Sequence, residues 1–98
     1  MDEETGAVSV PIYQVSTFRQ EELDQPPEYA YSRSQNPTRE VLENYIAELE
    51  DVEQGYAFSS GMAAISACLS LLEAGNHVVL TEGLYGGTYR VLTRVFDR

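Results

Sequence analysis

Tyr56-Ala57-Phe58-Ser59-Ser60-Gly61-Met62-Ala63-Ala64-Ile65 is the stretch that sets how the rest of the chain is read. Tyr56 to Phe58 reads as a short apolar strand, Ser59-Ser60-Gly61 as a turn, and an alanine-rich helix follows to about Leu72. Gly61 is expected to adopt backbone angles that a side chain would forbid, turning the chain sharply. The helix beyond it opens with N–H groups that have no carbonyl a turn behind them, at the positive end of the helix dipole. Strand, glycine turn and helix start together form a seat for a phosphate. Strand–glycine–helix turns are also common in α/β proteins that hold no ligand there, so this stretch alone leaves both readings open.

Upstream, residues 1–35 read as an extended arm. Pro11, Pro26 and Pro27 and scattered Gln and acidic residues break any helical period. Val8, Val10, Ile12 and Tyr13 offer apolar surface without a core, as in arms that lie across a neighbouring domain or subunit. Residues 36–98 read as the beginning of an α/β domain. Asn36 suits a helix N-cap, Pro37 the first helical position and Glu40 the first turn. Val41, Leu42, Tyr45, Ile46, Leu49 and Val52 then make one helical face, and Gly55 is expected to close the helix.

The helix Met62–Leu72 is apolar on nearly all sides, which predicts burial, and Ala74-Gly75-Asn76 ends it. His77-Val78-Val79-Leu80 reads as a buried parallel strand. A loop with Gly83, Tyr85, Gly86 and Gly87 leads to an amphipathic helix bearing Val91, Leu92, Val95 and Phe96. Arm, helix, strand, helix, strand, helix is the opening of a parallel α/β sheet. Two strands do not make a stable sheet, so the chain is expected to be a piece of a larger α/β protein that folds poorly by itself.

A formal net charge of -10 argues against nucleic acid and anionic membranes as partners. No apolar run reaches the length of a membrane span and no basic-then-apolar leader opens the chain, so a cytoplasmic protein is expected. Cys68 stands alone, which excludes a disulfide framework or a thiolate metal cluster. All six basic residues are arginines, so this chain has no amine side chain to act as a nucleophile.

Three other positions carry chemistry. In an extended segment, Tyr31 and Arg33 present a hydroxyl and a guanidinium to one side, a pair suited to phosphate or carboxylate. Taken alone, Arg33 is more commonly a surface arginine paired with one of the sixteen acidic residues. Tyr85, just after a parallel strand, is placed to lie flat on an aromatic ring, or merely to cover a sheet edge. Arg90 falls about one helical turn further on and could face the same crevice, although a helix-surface arginine is the commoner case. Cys68 and His77 read as structural, and no metal site is indicated.

Tyr31-Ser32-Arg33-Ser34-Gln35-Asn36-Pro37-Thr38-Arg39, Phe58-Ser59-Ser60-Gly61-Met62-Ala63-Ala64 and Leu84-Tyr85-Gly86-Gly87-Thr88-Tyr89-Arg90, in this order and spacing, resemble the Cys/Met-metabolism family of pyridoxal-phosphate enzymes. The likeness spans nearly the whole chain and includes Val10-Pro11-Ile12-Tyr13-Gln14. It implies the large domain of a fold type I, aspartate aminotransferase-like transferase, with pyridoxal 5'-phosphate as cofactor. Ser60, Gly61 and Met62 would then bind the cofactor phosphate, the last two through backbone N–H groups. Tyr31 and Arg33 would reach the phosphate held by the neighbouring subunit of a homo-oligomer such as a homotetramer. Tyr85 would stack on the pyridine ring and assist proton transfer as the catalytic residue. Arg33, Tyr85 and Arg90 would line the path of an amino-acid substrate. The implied activity is trans-sulfuration of the cystathionine gamma-lyase or gamma-synthase type, on cystathionine or on activated homoserine plus cysteine. O-acetylhomoserine sulfhydrylase and methionine gamma-lyase are the alternatives. A beta-lyase is less expected, because Tyr85-Gly86-Gly87 is often altered in that branch. The family's cofactor-anchoring lysine, its pyridine-nitrogen aspartate and its carboxylate-binding arginine fall beyond this sequence, so the chain by itself is expected to be inactive. A non-catalytic phosphate-binding or subunit-interaction module is the rival from another class.

Overall fold

Asn36 and Pro37 start the first helix by the chemistry their side chains allow. Helix α1 spans Pro37–Leu49, with Asn36 in extended geometry and its side chain accepting from the Thr38 N–H at 2.8 Å. Proline at the first position loses no helical hydrogen bond, since that N–H would be unpaired anyway. The other end differs from the sequence expectation. Asp51, not Gly55, closes α1: it sits at φ 53, in the left-handed region, just past the Glu50 cap. The Val52 N–H donates to Ala47 O at 3.0 Å and the Asp51 N–H to Glu48 O at 3.3 Å, the paired bonds of a Schellman close. Gly55 does another job. A Cβ there would lie 2.7 Å from the Glu43 carbonyl oxygen, so only glycine lets the chain pass back along the helix. The Glu43 carboxylate then receives the Ala57 N–H at 2.9 Å while holding Arg39 at 3.3 Å.

The computed structural model describes residues 1–97, and two compact units divide them, Met1–Ala57 and the part from Phe58 onward. In the first unit only Ala47 of α1 is buried, at 5% exposure, where the returning chain at Gly55 covers it. Val41, Leu42, Tyr45, Ile46, Leu49 and Val52, the predicted apolar face, are all exposed. No second layer lies on that face among the described residues.

The second unit pairs α2 (Gly61–Leu69) with α3 (Gly86–Arg94). Ser60 caps α2, its hydroxyl accepting the Ala63 N–H at 3.1 Å. The helix ends at Leu69, three residues short of the expected Leu72. There Leu71 and Leu72 donate one turn-step tighter, to Cys68 O and Leu69 O at 3.2 and 3.1 Å. The expected burial of this helix is not met. One partner helix covers only one side, so no α2 residue is fully buried and Cys68 is exposed rather than a core filler.

Neither predicted strand forms a ladder. Tyr56–Phe58 and His77–Leu80 carry no strand hydrogen bonding, and His77–Leu80 is exposed instead of buried. The expectation of a parallel α/β sheet is therefore not realised among the described residues, which hold three helices and a single isolated antiparallel bridge, Thr17–Tyr31. The physical reason is cooperativity: a parallel strand needs a neighbour for every other N–H and C=O, and two short segments do not supply one.

The segment before α1 is organised by that bridge. Phe18 N–H donates to Ala30 O at 3.0 Å and Ser32 N–H to Ser16 O at 2.8 Å on either side of it. The Phe18 and Tyr29 rings tilt together with centroids 5.4 Å apart. Tyr29 then donates its hydroxyl to Glu40 in the first turn of α1, which ties the loop to the helix start. That hydrogen bond, with burial behind it, pushes the Tyr29 phenol up from 10.0 to about 12. The folded state therefore holds this proton more tightly than the unfolded chain does. The resulting stabilisation is complete below pH 10.0 and is lost as the pH climbs to about 12. Tyr29→Phe should flatten the stability profile across that interval and remove one phenol that ionises above the ordinary range, as read by chemical denaturation and phenolate absorbance. An unchanged late-ionising phenol in the variant would contradict the assignment.

Candidate functional site

The start of α2 has the features an anion site needs. The Gly61 and Met62 N–H groups belong to the first turn, where the helix offers them no acceptor, and the dipole there is positive. Ser60 spends an oxygen lone pair on capping Ala63, which leaves its O–H free to donate. Gly61 serves a different purpose from the one the sequence suggested. It is the first helical residue and lies outside the left-handed region, so no forbidden backbone angle calls for glycine. A Cβ built on it meets nothing within 4 Å. The glycine keeps the space before the helix end open, because Cβ atoms lean toward a helix N-terminus.

Tyr85 stands at the head of α3 and is its cap residue, without a side-chain cap bond. Gly87 fixes its ring. A Cβ at Gly87 would lie 2.8 Å from Tyr85 Cε1 and 3.1 Å from Met62 Sδ, so the ring and the thioether both press on glycine backbone. Tyr85 is 73% exposed, which leaves the rest of the ring open to an approaching group. Beneath it Thr88, at 7% exposure one of two buried residues among those described, directs its hydroxyl to Met62 Sδ at 3.7 Å. This joins the start of α2 to the start of α3.

A shallow, mostly apolar depression results, lined by Met62, Ala63, Ser66, Tyr85, Arg90 and Val91. Arg90 folds back along α3, its Nε donating to the Gly86 carbonyl at 3.3 Å, so its guanidinium stays by Tyr85. The structure thus brings together Met62, Tyr85 and Arg90 of the predicted residues, with Ser60 and Gly61 adjoining in sequence at the same helix start.

Tyr31 and Arg33 belong to the other unit, where they meet each other. They do so by a route the sequence did not reveal. Tyr31 O accepts from Ser34 N–H and Gln35 N–H, both at 3.0 Å, so the chain turns there instead of running on extended. The Arg33 guanidinium carbon lies 4.9 Å from the Tyr31 ring centroid, a cation–π contact in place of strand alternation. Both residues are exposed.

Sequence reasoning missed Thr88 as a support and credited Asn36 only with capping. Thr88 carries no special signal beyond following two glycines, and its burial depends on how α2 meets α3. The described residues hold no cluster of His, Cys, Asp and Glu fit for a metal ion, and no helix long and apolar enough to cross a membrane.

The family model for "Cys/Met metabolism PLP-dependent enzyme" matches residues 1–98. The chain belongs to this family. Pyridoxal 5'-phosphate is therefore its family's cofactor, and fold type I its family's architecture. Over 97 residues, 99% of this chain, it is 62% identical to a cystathionine gamma-lyase of Bacillus subtilis (strain 168), covering 26% of that protein. A cystathionine beta-lyase of Lactococcus lactis subsp. cremoris (strain MG1363) is 58% identical over the same share of the chain and 26% of its own length. A cystathionine gamma-synthase/O-acetylhomoserine (thiol)-lyase of Bacillus subtilis is 44% identical over 92% of the chain and 24% of that protein. The chain thus spans about a quarter of the length of these relatives. Beta-lyases stand almost as near as the gamma-lyase, so this part of the chain does not set the two chemistries apart as the sequence expectation had it.

Residues present here fit a phosphorylated ring: an open helix start with unpaired donors lies beside a tyrosine ring backed on glycine. Gly87→Ala tests that geometry. The new methyl displaces the Tyr85 ring and the Met62 thioether, both mobile side-chain ends, so stability should change by no more than about 1 kcal/mol. The Tyr85 ring resonances should shift clearly. Unshifted resonances would mean that Gly87 does not set the ring.

Proposed function

We propose that this chain supplies the N-terminal part of a trans-sulfuration enzyme dependent on pyridoxal phosphate, acting on cystathionine or on activated homoserine with cysteine. The single observation that supports it most is the meeting of Met62 and Tyr85 on Gly87, which sets an open phosphate seat beside an exposed aromatic ring. Family membership and the names of the relatives support the same reading.

In this reading the Gly61 and Met62 N–H groups and the Ser60 hydroxyl hold the phosphate, with the α2 dipole adding to the attraction. Tyr85 stacks on the pyridine ring and, as the catalytic residue, holds or passes a proton at its phenolic oxygen. Its exposure leaves both duties open to it. When bound, the cofactor supplies an electron-withdrawing ring that takes up the electrons released at the substrate α-carbon. Arg90 and Arg33 present guanidinium groups suited to the carboxylates of an amino-acid substrate. Tyr31 and Arg33 act as one donor pair toward the cofactor phosphate of a neighbouring subunit, which makes the active assembly a homo-oligomer. With no lysine in this sequence, any amine that anchors the cofactor is supplied from elsewhere. A beta-elimination on cystathionine is the second reading, favoured by the 58% identity to beta-lyases.

Arg33→Ala is the direct test in the intact protein. Each charge-assisted hydrogen bond to an anion contributes about 1.5–3 kcal/mol, so cofactor affinity should fall by about 10- to 100-fold and the subunits should dissociate at higher concentration. Cofactor titration and sedimentation measure the two effects. Unchanged affinity would remove the cross-subunit role, and a spectrum without the cofactor's visible band in the intact wild-type protein would remove the whole reading.

A further inference from the structure

The Asn36 carboxamide makes more contacts than a helix cap requires. Its Oδ1 accepts the Thr38 N–H at 2.8 Å, which is the capping bond. Its Nδ2 donates twice, to the Tyr13 carbonyl at 3.1 Å and to the Ser32 hydroxyl at 3.0 Å. Ser32 in turn donates its hydroxyl to the Val15 carbonyl and its N–H to Ser16 O, the second at 2.8 Å. The Tyr13 N–H returns to α1 through Thr38 Oγ1 at 2.9 Å. One amide group thus joins the helix start, the 13–16 segment and the residue lying between Tyr31 and Arg33.

Capping needs only an acceptor, and serine, aspartate or asparagine serve it about equally. The donor half of the amide does nothing for the helix. One of its bonds goes to Ser32, between Tyr31 and Arg33, and the other to Tyr13 in the segment that Ser32 also bonds, so Ser32 is held by that amide on one side and by the 15–16 carbonyls on the other. We propose that Asn36 is a positioning residue: its amide hydrogens lock Ser32, and thereby set the Tyr31–Arg33 turn in the one arrangement that aims phenol and guanidinium at a phosphate. The inference rests on the phosphate-binding reading of Tyr31 and Arg33 given above. Asn36 itself touches neither cofactor nor substrate. Its effect passes through the Ser32 hydroxyl and the Tyr13 carbonyl that its amide holds.

Asn36→Asp keeps the acceptor and places a favourable charge at the helix start, yet removes both donations and sets a carboxylate against the Tyr13 carbonyl. Asn36→Ser keeps a neutral cap, so it separates lost donation from added charge. In the intact protein reconstituted with pyridoxal phosphate, both variants should keep α1 folded while their cofactor dissociation constants rise by about tenfold. The Ser32 and Phe18 amides should exchange faster with solvent even in cofactor-free protein, while the Val52 amide at the far end of α1 should not. Combined with Tyr31→Phe and Arg33→Ala together, Asn36→Ser should add almost nothing to the loss those two cause, because Asn36 acts only through that pair. Additive losses, or unchanged affinity in both Asn36 variants while Arg33→Ala is impaired, would overturn the inference. If Arg33→Ala itself binds the cofactor normally, the phosphate reading fails separately. Amide exchange then decides whether Asn36 orders the turn, and unchanged exchange at Ser32 and Phe18 would overturn that too.

Discussion

The open start of α2 is the constraint around which the second unit is arranged. The first N–H groups of α2 have no acceptor within the helix, and with Ser60 and Gly61 exposed they stand open to water or to an arriving acceptor. Ser60 settles one of them by capping Ala63, and the open space before Gly61 keeps the others accessible. Thr88 and Met62 hold α3 against α2, and Gly87 gives the Tyr85 ring a flat backing at the same end of the pair. An anion arriving there supplies the missing acceptors and meets the positive end of the dipole at once.

The first unit follows a comparable economy with different parts. Its order comes from polar anchors at the start of α1, not from a core, since Ala47 is its one buried hydrophobe. Asn36, Thr38 and Glu40 occupy every second position of that helix start, and each holds a piece of the preceding segment: Ser32 and the Tyr13 carbonyl, the Tyr13 N–H, and the Tyr29 hydroxyl. The exposed stripe Val41, Leu42, Tyr45, Ile46 and Leu49 is left without a covering layer among the described residues.

What the sequence revealed and what it concealed divide along one physical line. Signals confined to a few consecutive residues were legible: Asn36-Pro37 as a helix start, Ser60 before an alanine-rich helix, and the tyrosine ahead of two glycines. Features that need a distant partner were not. Strands at 56–58 and 77–80 had the right residues but no neighbours to pair with. The Tyr31 turn depends on its bridge to Thr17, and the burial of Thr88 on how two helices meet. At the end of α1 a visible glycine misled, because aspartate tolerates the left-handed position through its short polar side chain and Asp51 took it. Gly61 does not have the unusual backbone angle that the sequence suggested; a Cβ there would meet only open space.

That empty space can be tested in a single variant. Gly61→Ala adds a methyl that touches nothing in the protein, and alanine favours the helix over glycine by up to about 1 kcal/mol. Melting temperature and cofactor dissociation constant, measured side by side in the intact protein, should therefore move against each other: equal or higher thermal stability, with binding weakened because the methyl stands at the mouth of the donor cluster. A variant that is as stable and binds pyridoxal phosphate as tightly as the parent would show that the phosphate is held elsewhere.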